Sequence, residues 1–106
     1  MNYRFLAEAR WDLFDAADGY DAQLAGLGQE FSDEVQARVQ VIASQPRLYG
    51  RVIPPVRGRA IRQALVRRFP YTVVYEVTAN EVIIVAVFHV RRSQRVWRRR
   101  LSPRQP

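Results

Sequence analysis

Tyr71-Thr72-Val73-Val74-Tyr75-Glu76-Val77-Thr78, then Ala79-Asn80, then Val82-Ile83-Ile84-Val85-Ala86-Val87-Phe88-His89: this stretch decides the fold class. The first eight residues are rich in β-branched and aromatic side chains, which favour a pleated strand. Ala79-Asn80 supplies a tight turn. In the second run, six of the first seven residues are β-branched or aromatic and none is charged. Such a strand has both faces buried and belongs at the centre of its sheet.

Working back from this pair, Ala60 to Phe69 reads as a further strand, interrupted by Pro70. Ile61 and Leu65 lie on one of its faces, Arg62 and Arg68 on the other. Arg47 to Gly58 is a loop around Pro54-Pro55. Upstream the period changes. Leu13, Ala16, Ala17, Tyr20 and Leu24 form one helical stripe within Glu8–Leu24, with Asp12, Asp15 and Asp18 largely off it. Leu27, Phe31, Val35, Val39 and Ile42 form the inner face of a second helix, Gln29–Ser44, which Pro46 ends. Gly26 and Gly28 sit between the two, so they form a helical hairpin. Tyr3 to Leu6 is a short first strand at an edge.

The expected fold is therefore α+β, in the order β-α-α-β-β-β. A small, mostly antiparallel sheet carries the helical hairpin on one face. The 106 residues make a single domain, 1–106, with 92–106 as a basic C-terminal tail. That tail is expected to form a short helix around Trp97 and then fray.

Charge is segregated. Residues 1–50 carry four Arg against eight acidic residues, a net −4. Residues 51–106 carry thirteen Arg against Glu76 and Glu81, a net +11. All seventeen basic residues are Arg, whose planar fork suits phosphate and carboxylate. The C-terminal half thus points to an anionic partner. The absence of cysteine excludes disulfides and thiolate metal clusters. No apolar run has signal-peptide length or approaches the ~20 residues of a membrane span. A cytoplasmic protein without membrane contact is expected.

The chemistry is narrow. His89 is the single histidine, and no carboxylate lies near it in sequence, so no metal or cofactor is expected. There is no Gly-x-Ser-x-Gly elbow and no phosphate-cradling loop. Arginines with one histidine on a basic half leave two options. One is metal-free RNA cleavage, which needs proton transfer and cations over the phosphate oxygens. The other is a surface that only grips an anionic partner.

Arg67-Arg68-Phe69-Pro70-Tyr71 running on to Val77 resembles the central strand pair of the RelE/ParE toxins, especially the ParE-like plasmid-stabilisation branch. Ala86-Val87-Phe88-His89-Val90-Arg91-Arg92, with Trp97 and Arg98, is similar to that branch's last strand and tail. Leu27-Gly28-Gln29-Glu30-Phe31, Phe5 and Glu8-Ala9 also match, so the resemblance spans roughly residues 3–100. It implies a growth-inhibiting toxin of a type II toxin–antitoxin system. A cognate antitoxin with an acidic segment holds it in a hetero-oligomer. RelE-like members cut mRNA on the ribosome, and the resemblance would then assign catalysis to Arg67, Arg68, His89 and Arg91. ParE-like members poison DNA gyrase. The cutters carry lysines or a carboxylate as base and often a C-terminal tyrosine; this chain has no lysine, and its last tyrosine is Tyr75. Those departures favour the gyrase branch. Arg62, Arg92, Arg95, Trp97, Arg98, Arg99 and Arg100 are then the residues expected to meet target or antitoxin. The rivals are a non-enzymatic nucleic-acid-binding module and a degenerate toxin that only binds its antitoxin.

Overall fold

The computed structural model describes residues 1–101. Its elements are β1 (Asn2–Phe5), α1 (Ala7–Gln23), α2 (Leu27–Ser44), β2 (Ile61–Leu65), β3 (Tyr71–Val77), β4 (Glu81–His89) and α3 (Arg95–Arg98), with a 3-10 turn at Arg99–Leu101. The order is the expected β-α-α-β-β-β. The strands lie in the order β1-β4-β3-β2. β1 runs parallel to β4 at one edge, and the other pairs are antiparallel. Strand β4, with its uncharged run 82–88, does sit between two neighbours. No helix among the described residues is long and apolar enough to cross a membrane.

Strand alternation sends Val73, Tyr75 and Val77 of β3 to the helical side and Val74 to the opposite side. On β4 the alternation is broken once. Val74 pairs with Ala86 but Tyr75 pairs with Ile84, so Val85 is an extra residue. Val82 and Ile84 face the helices before it. After it Val87 does, while Phe88 turns to the other side.

The hairpin packs as its stripes require. Phe31, Val35, Val39 and Ile42 are fully buried, with Ala9 of α1. Phe31 sits among the rings of Tyr20, Phe69 and Tyr71 at 4.9–5.2 Å. Gly28 lets the two helices touch. A Cβ there would lie 2.3 Å from the Ala17 carbonyl oxygen, and its N–H donates to Asp21 at 2.8 Å.

Two expectations give way. Leu24 is 61% exposed, because α1 ends before its side chain can reach the core. The strand expected over Ala60–Phe69 stops at Leu65. Val66 N–H then bonds the Tyr71 carbonyl and Arg68 takes a positive φ of 73°, which turns the chain before Pro70. Asp12 lies off the apolar stripe, as expected, and pairs with Arg100. The fraying expected beyond the last helix concerns 102–106, outside the described residues.

Candidate functional site

The face opposite the hairpin is covered by the basic C-terminal segment. Trp97, 1% exposed, and Leu101 pack on Val52, Val74, Val85 and Phe88. Arginines bolt this segment down. Arg98 lies over the Trp97 ring at 4.8 Å and bonds Gln94 at 2.8–3.0 Å and the Pro54 carbonyl. Arg59 pairs with both oxygens of Glu76 at 2.7 and 2.8 Å and donates to the Leu101 carbonyl at 2.7 Å. Arg100 grips both oxygens of Asp12 at 2.6 and 2.9 Å and donates to the Val85 carbonyl at 3.1 Å. Asp12 also accepts the Val87 N–H at 3.0 Å.

The Asp12–Arg100 pair has a backbone reason. The partner strand β1 ends at Phe5, opposite Ile84, so β4 beyond that point has an open edge. Unpaired backbone groups at such an edge are costly when buried. The ion pair supplies the missing donor and acceptor there. Its side chains are 14% and 12% exposed. Hydrogen bonds donated to the Glu76 and Asp12 carboxylates hold the Arg59 and Arg100 guanidiniums above their ordinary pKa. Of the residues expected from sequence as contacts, Trp97 is 1% exposed on the groove's lining and Arg100 is paired with Asp12. Arg99 also has an interaction partner.

Along the outer edge of β2 runs a groove of about 650 Å³. Arg38, Arg51 and Arg92 line it, and no acidic residue does. Phe88 and Trp97 lie along it, with Gln63, Gln94 and Thr72 as polar groups between. Arg92 stacks over Phe88 at 5.3 Å, and Arg38 over Tyr49 at 5.3 Å while bonding its hydroxyl. Arg62 donates to the Tyr49 carbonyl at 2.6 Å. The Nε atoms of Arg38 and Arg62 are buried without a partner among the described residues. Leu65, 65% exposed, and Val90 leave apolar surface on the groove's lining. Cations over an apolar floor suit an anionic ligand with hydrophobic anchors.

The residues that a nuclease would use are not gathered there. Arg68 is held by Glu30 at 2.9 Å and Glu34 at 3.8 Å on α2, and lies over Phe69. The hydrogen bond it donates to Glu30 raises its pKa. His89 lies against Tyr71 on the hairpin side, ring centroids 5.2 Å apart. Its Nδ1 accepts the Arg91 N–H at 3.1 Å. That contact puts the proton of the neutral ring on Nε2. Arg67, Arg91 and Arg95 are exposed at the surface. Among the described residues no cluster of His, Cys, Asp or Glu could hold a metal ion.

Sequence reasoning missed Arg38, Tyr49, Arg51, Gln63 and Gln94 of the groove. Arg38 had one signal, being the sole basic residue of α2. The others had none, because a loop and a strand edge meet there only in the fold.

Comparison with known proteins gives two findings. A family model described as "ParE toxin of type II toxin-antitoxin system, parDE" matches residues 3–94. A solved structure described as "Chromosomal ParDE TA system from P. aeruginosa" is similar in fold, with a TM-score of 0.72 and 17% identity. The likeness covers 84% of this chain and 95% of the other. No curated protein matches the sequence.

Proposed function

The chain belongs to the ParE toxin family and is the toxin component of a type II toxin–antitoxin system; from that premise we propose that it acts on DNA gyrase. Its antitoxin, on this reading, neutralises it by laying an acidic, apolar-anchored segment along the β2 groove. The single observation that carries the gyrase reading is that two members of the cutting set are already engaged within the fold. Arg68 is committed to Glu30 on α2, while His89 lies against Tyr71 with its Nδ1 taken. A protein that binds its target rather than cleaving it needs neither group free. The reading puts the protein in the cytoplasm, where gyrase and DNA meet.

The groove supports the antitoxin half of the proposal. Arg38, Arg51 and Arg92 face it with no acid among its lining residues. Attraction of this kind acts mainly on the association rate and is screened by salt. Arg67, Arg91 and Arg95 are further cations exposed at the surface.

The test is a supercoiling assay with purified gyrase beside a translation assay with ribosomes and mRNA. Loss of supercoiling with intact mRNA is the expected result. Cleaved mRNA with unaffected supercoiling would move the target to the ribosome. For the antitoxin, Arg92→Glu should slow association, and the wild-type rate should fall as salt rises. A rate flat in salt would remove the groove from the proposal.

A further inference from the structure

A second cleft opens on the other side of the sheet, between α1 and the ends of β3 and β4. It has a volume of about 260 Å³. Asp15, Tyr20 and Gln23 line it from the helix, Tyr71 and His89 from the strands. No arginine lines it. We propose that this cleft is a receptor for an arginine side chain presented by a protein partner. This inference is independent of the gyrase reading.

Three observations carry it. The first is unused bonding capacity. The Asp15 carboxylate, the Gln23 amide and the hydroxyls of Tyr20 and Tyr71 make no hydrogen bond or ion pair with another described residue. Burial pushes both phenols above their ordinary pKa, so they remain neutral. By contrast, Asp12 and Asp21 on the same helix are taken by Arg100 and by the Gly28 N–H.

The second is the wall. Tyr20 and Tyr71 stand 6.1 Å apart at 64°, and Tyr71 meets His89 at 5.2 Å and 77°. Aromatic rings beside one carboxylate suit a cation that is planar and stacks. A guanidinium meets that description and carries donors only, which match the carboxylate and phenol oxygens. The helix that forms the wall belongs to the acidic half of the chain.

The third is Gly19. Glycine inside a helix is destabilising relative to alanine. Nothing lies within 4 Å of where its Cβ would be, so packing does not require it. What it does provide is room, since it is itself a lining residue of the cleft. Leucine at 19 would fill that room without touching the core.

The experiment is an amide-shift titration of the full chain with N-acetyl-arginine amide. N-acetyl-lysine amide and N-acetyl-citrulline amide serve as controls. A single side chain in an open cleft should bind with a Kd on the order of 1–10 mM. The expected shifts fall on residues 15–23, 71 and 89. Lysine should bind at least about threefold more weakly, since it lacks the fork. Neutral citrulline should move nothing. Asp15→Asn should weaken arginine binding by about threefold or more, the scale of one exposed charge pair. Gly19→Leu should abolish binding while leaving the melting temperature unchanged or raised. Equal response to citrulline, or arginine shifts that survive Gly19→Leu, would overturn the proposal, as would the absence of any shift at tens of millimolar ligand.

Discussion

The two faces of the sheet are covered by opposite kinds of sequence. On one side lies a periodic helical hairpin whose buried residues are apolar: Phe31, Val35, Val39 and Ile42. On the other lies a short basic segment with Trp97 and Leu101 as its buried apolar side chains. The first is held by area removed from water. The second is held by three arginines turned into clamps, Arg59, Arg98 and Arg100, whose donors meet carbonyls, an amide and two carboxylates. The difference teaches that a run of like charges is not by itself a solvated tail. Its cations can serve as structural donors when the sheet beside them has unpaired acceptors.

The largest effect tests the apolar face. Phe31→Ala should cost about 3–5 kcal/mol in denaturant unfolding, as core aromatic truncations do. A loss under about 1 kcal/mol would show that the hairpin is not anchored there. Next comes the clamped face. Asp12→Ala leaves the Arg100 guanidinium partly buried without its carboxylate, and the Val87 N–H unpaired. It should cost about 3 kcal/mol. Hydrogen exchange should quicken at Val87 while amides of α2 keep their protection. Matching acceleration in α2 would mean that the two faces are one cooperative unit and that the contrast fails.

Alkaline pH separates the faces more finely. Burial pushes the Tyr75 phenol up to about 12, and its hydroxyl donates to the Pro46 carbonyl at 2.7 Å on the hairpin side. A folded-state pKa above the unfolded value near ~10 means that this stability is fully present below about pH 10. It is lost as pH rises through about 12. The arginine clamps, with raised pKa values, stay charged across that window. Melting temperature should therefore decline from pH 10 upward, and Tyr75→Phe should flatten the decline at a neutral-pH cost of about 1 kcal/mol. An unchanged slope in the variant would place the alkaline weakness elsewhere. The smallest effect is at the β1 edge. Arg4 meets Glu81 at 3.1 Å in an exposed pair, so Glu81→Gln should cost less than about 1 kcal/mol. A larger value would mean that surface charge holds this edge more firmly than exposure allows.

Much of the apolar face was legible from periodicity. Phe31, Val35, Val39 and Ile42 declare themselves at helical spacing, and the uncharged run from Val82 declares a central strand. Ala9 did not, because one alanine near a helix start carries little signal. The groove was half legible. Arg92 stood out within the basic run, but Tyr49 and Arg51 come from a loop that folds back beside β2. Gly50 accepts the Gln63 N–H there, and Val52 donates to the Ile61 carbonyl. Such pairings leave no period in the sequence.

The sequence by itself determined the order of elements, the helical hairpin, the central place of β4 and the opposition of an acidic half to a basic one. These follow from local propensity, from apolar period and from composition, which need no knowledge of neighbours. Only the tertiary structure decided which side His89 faces and what Arg100 is for. Strict alternation from Val82 and Ile84 would put Phe88 under the hairpin and His89 on the opposite face. The extra residue Val85 reverses that parity, and it exists only as a mismatch in the pairing with β3. Arg100 is structural because Asp12, 88 residues earlier, meets it where β1 leaves the edge of β4 open. A bulge and an unpaired edge belong to two strands at once, and neither strand's sequence contains them alone.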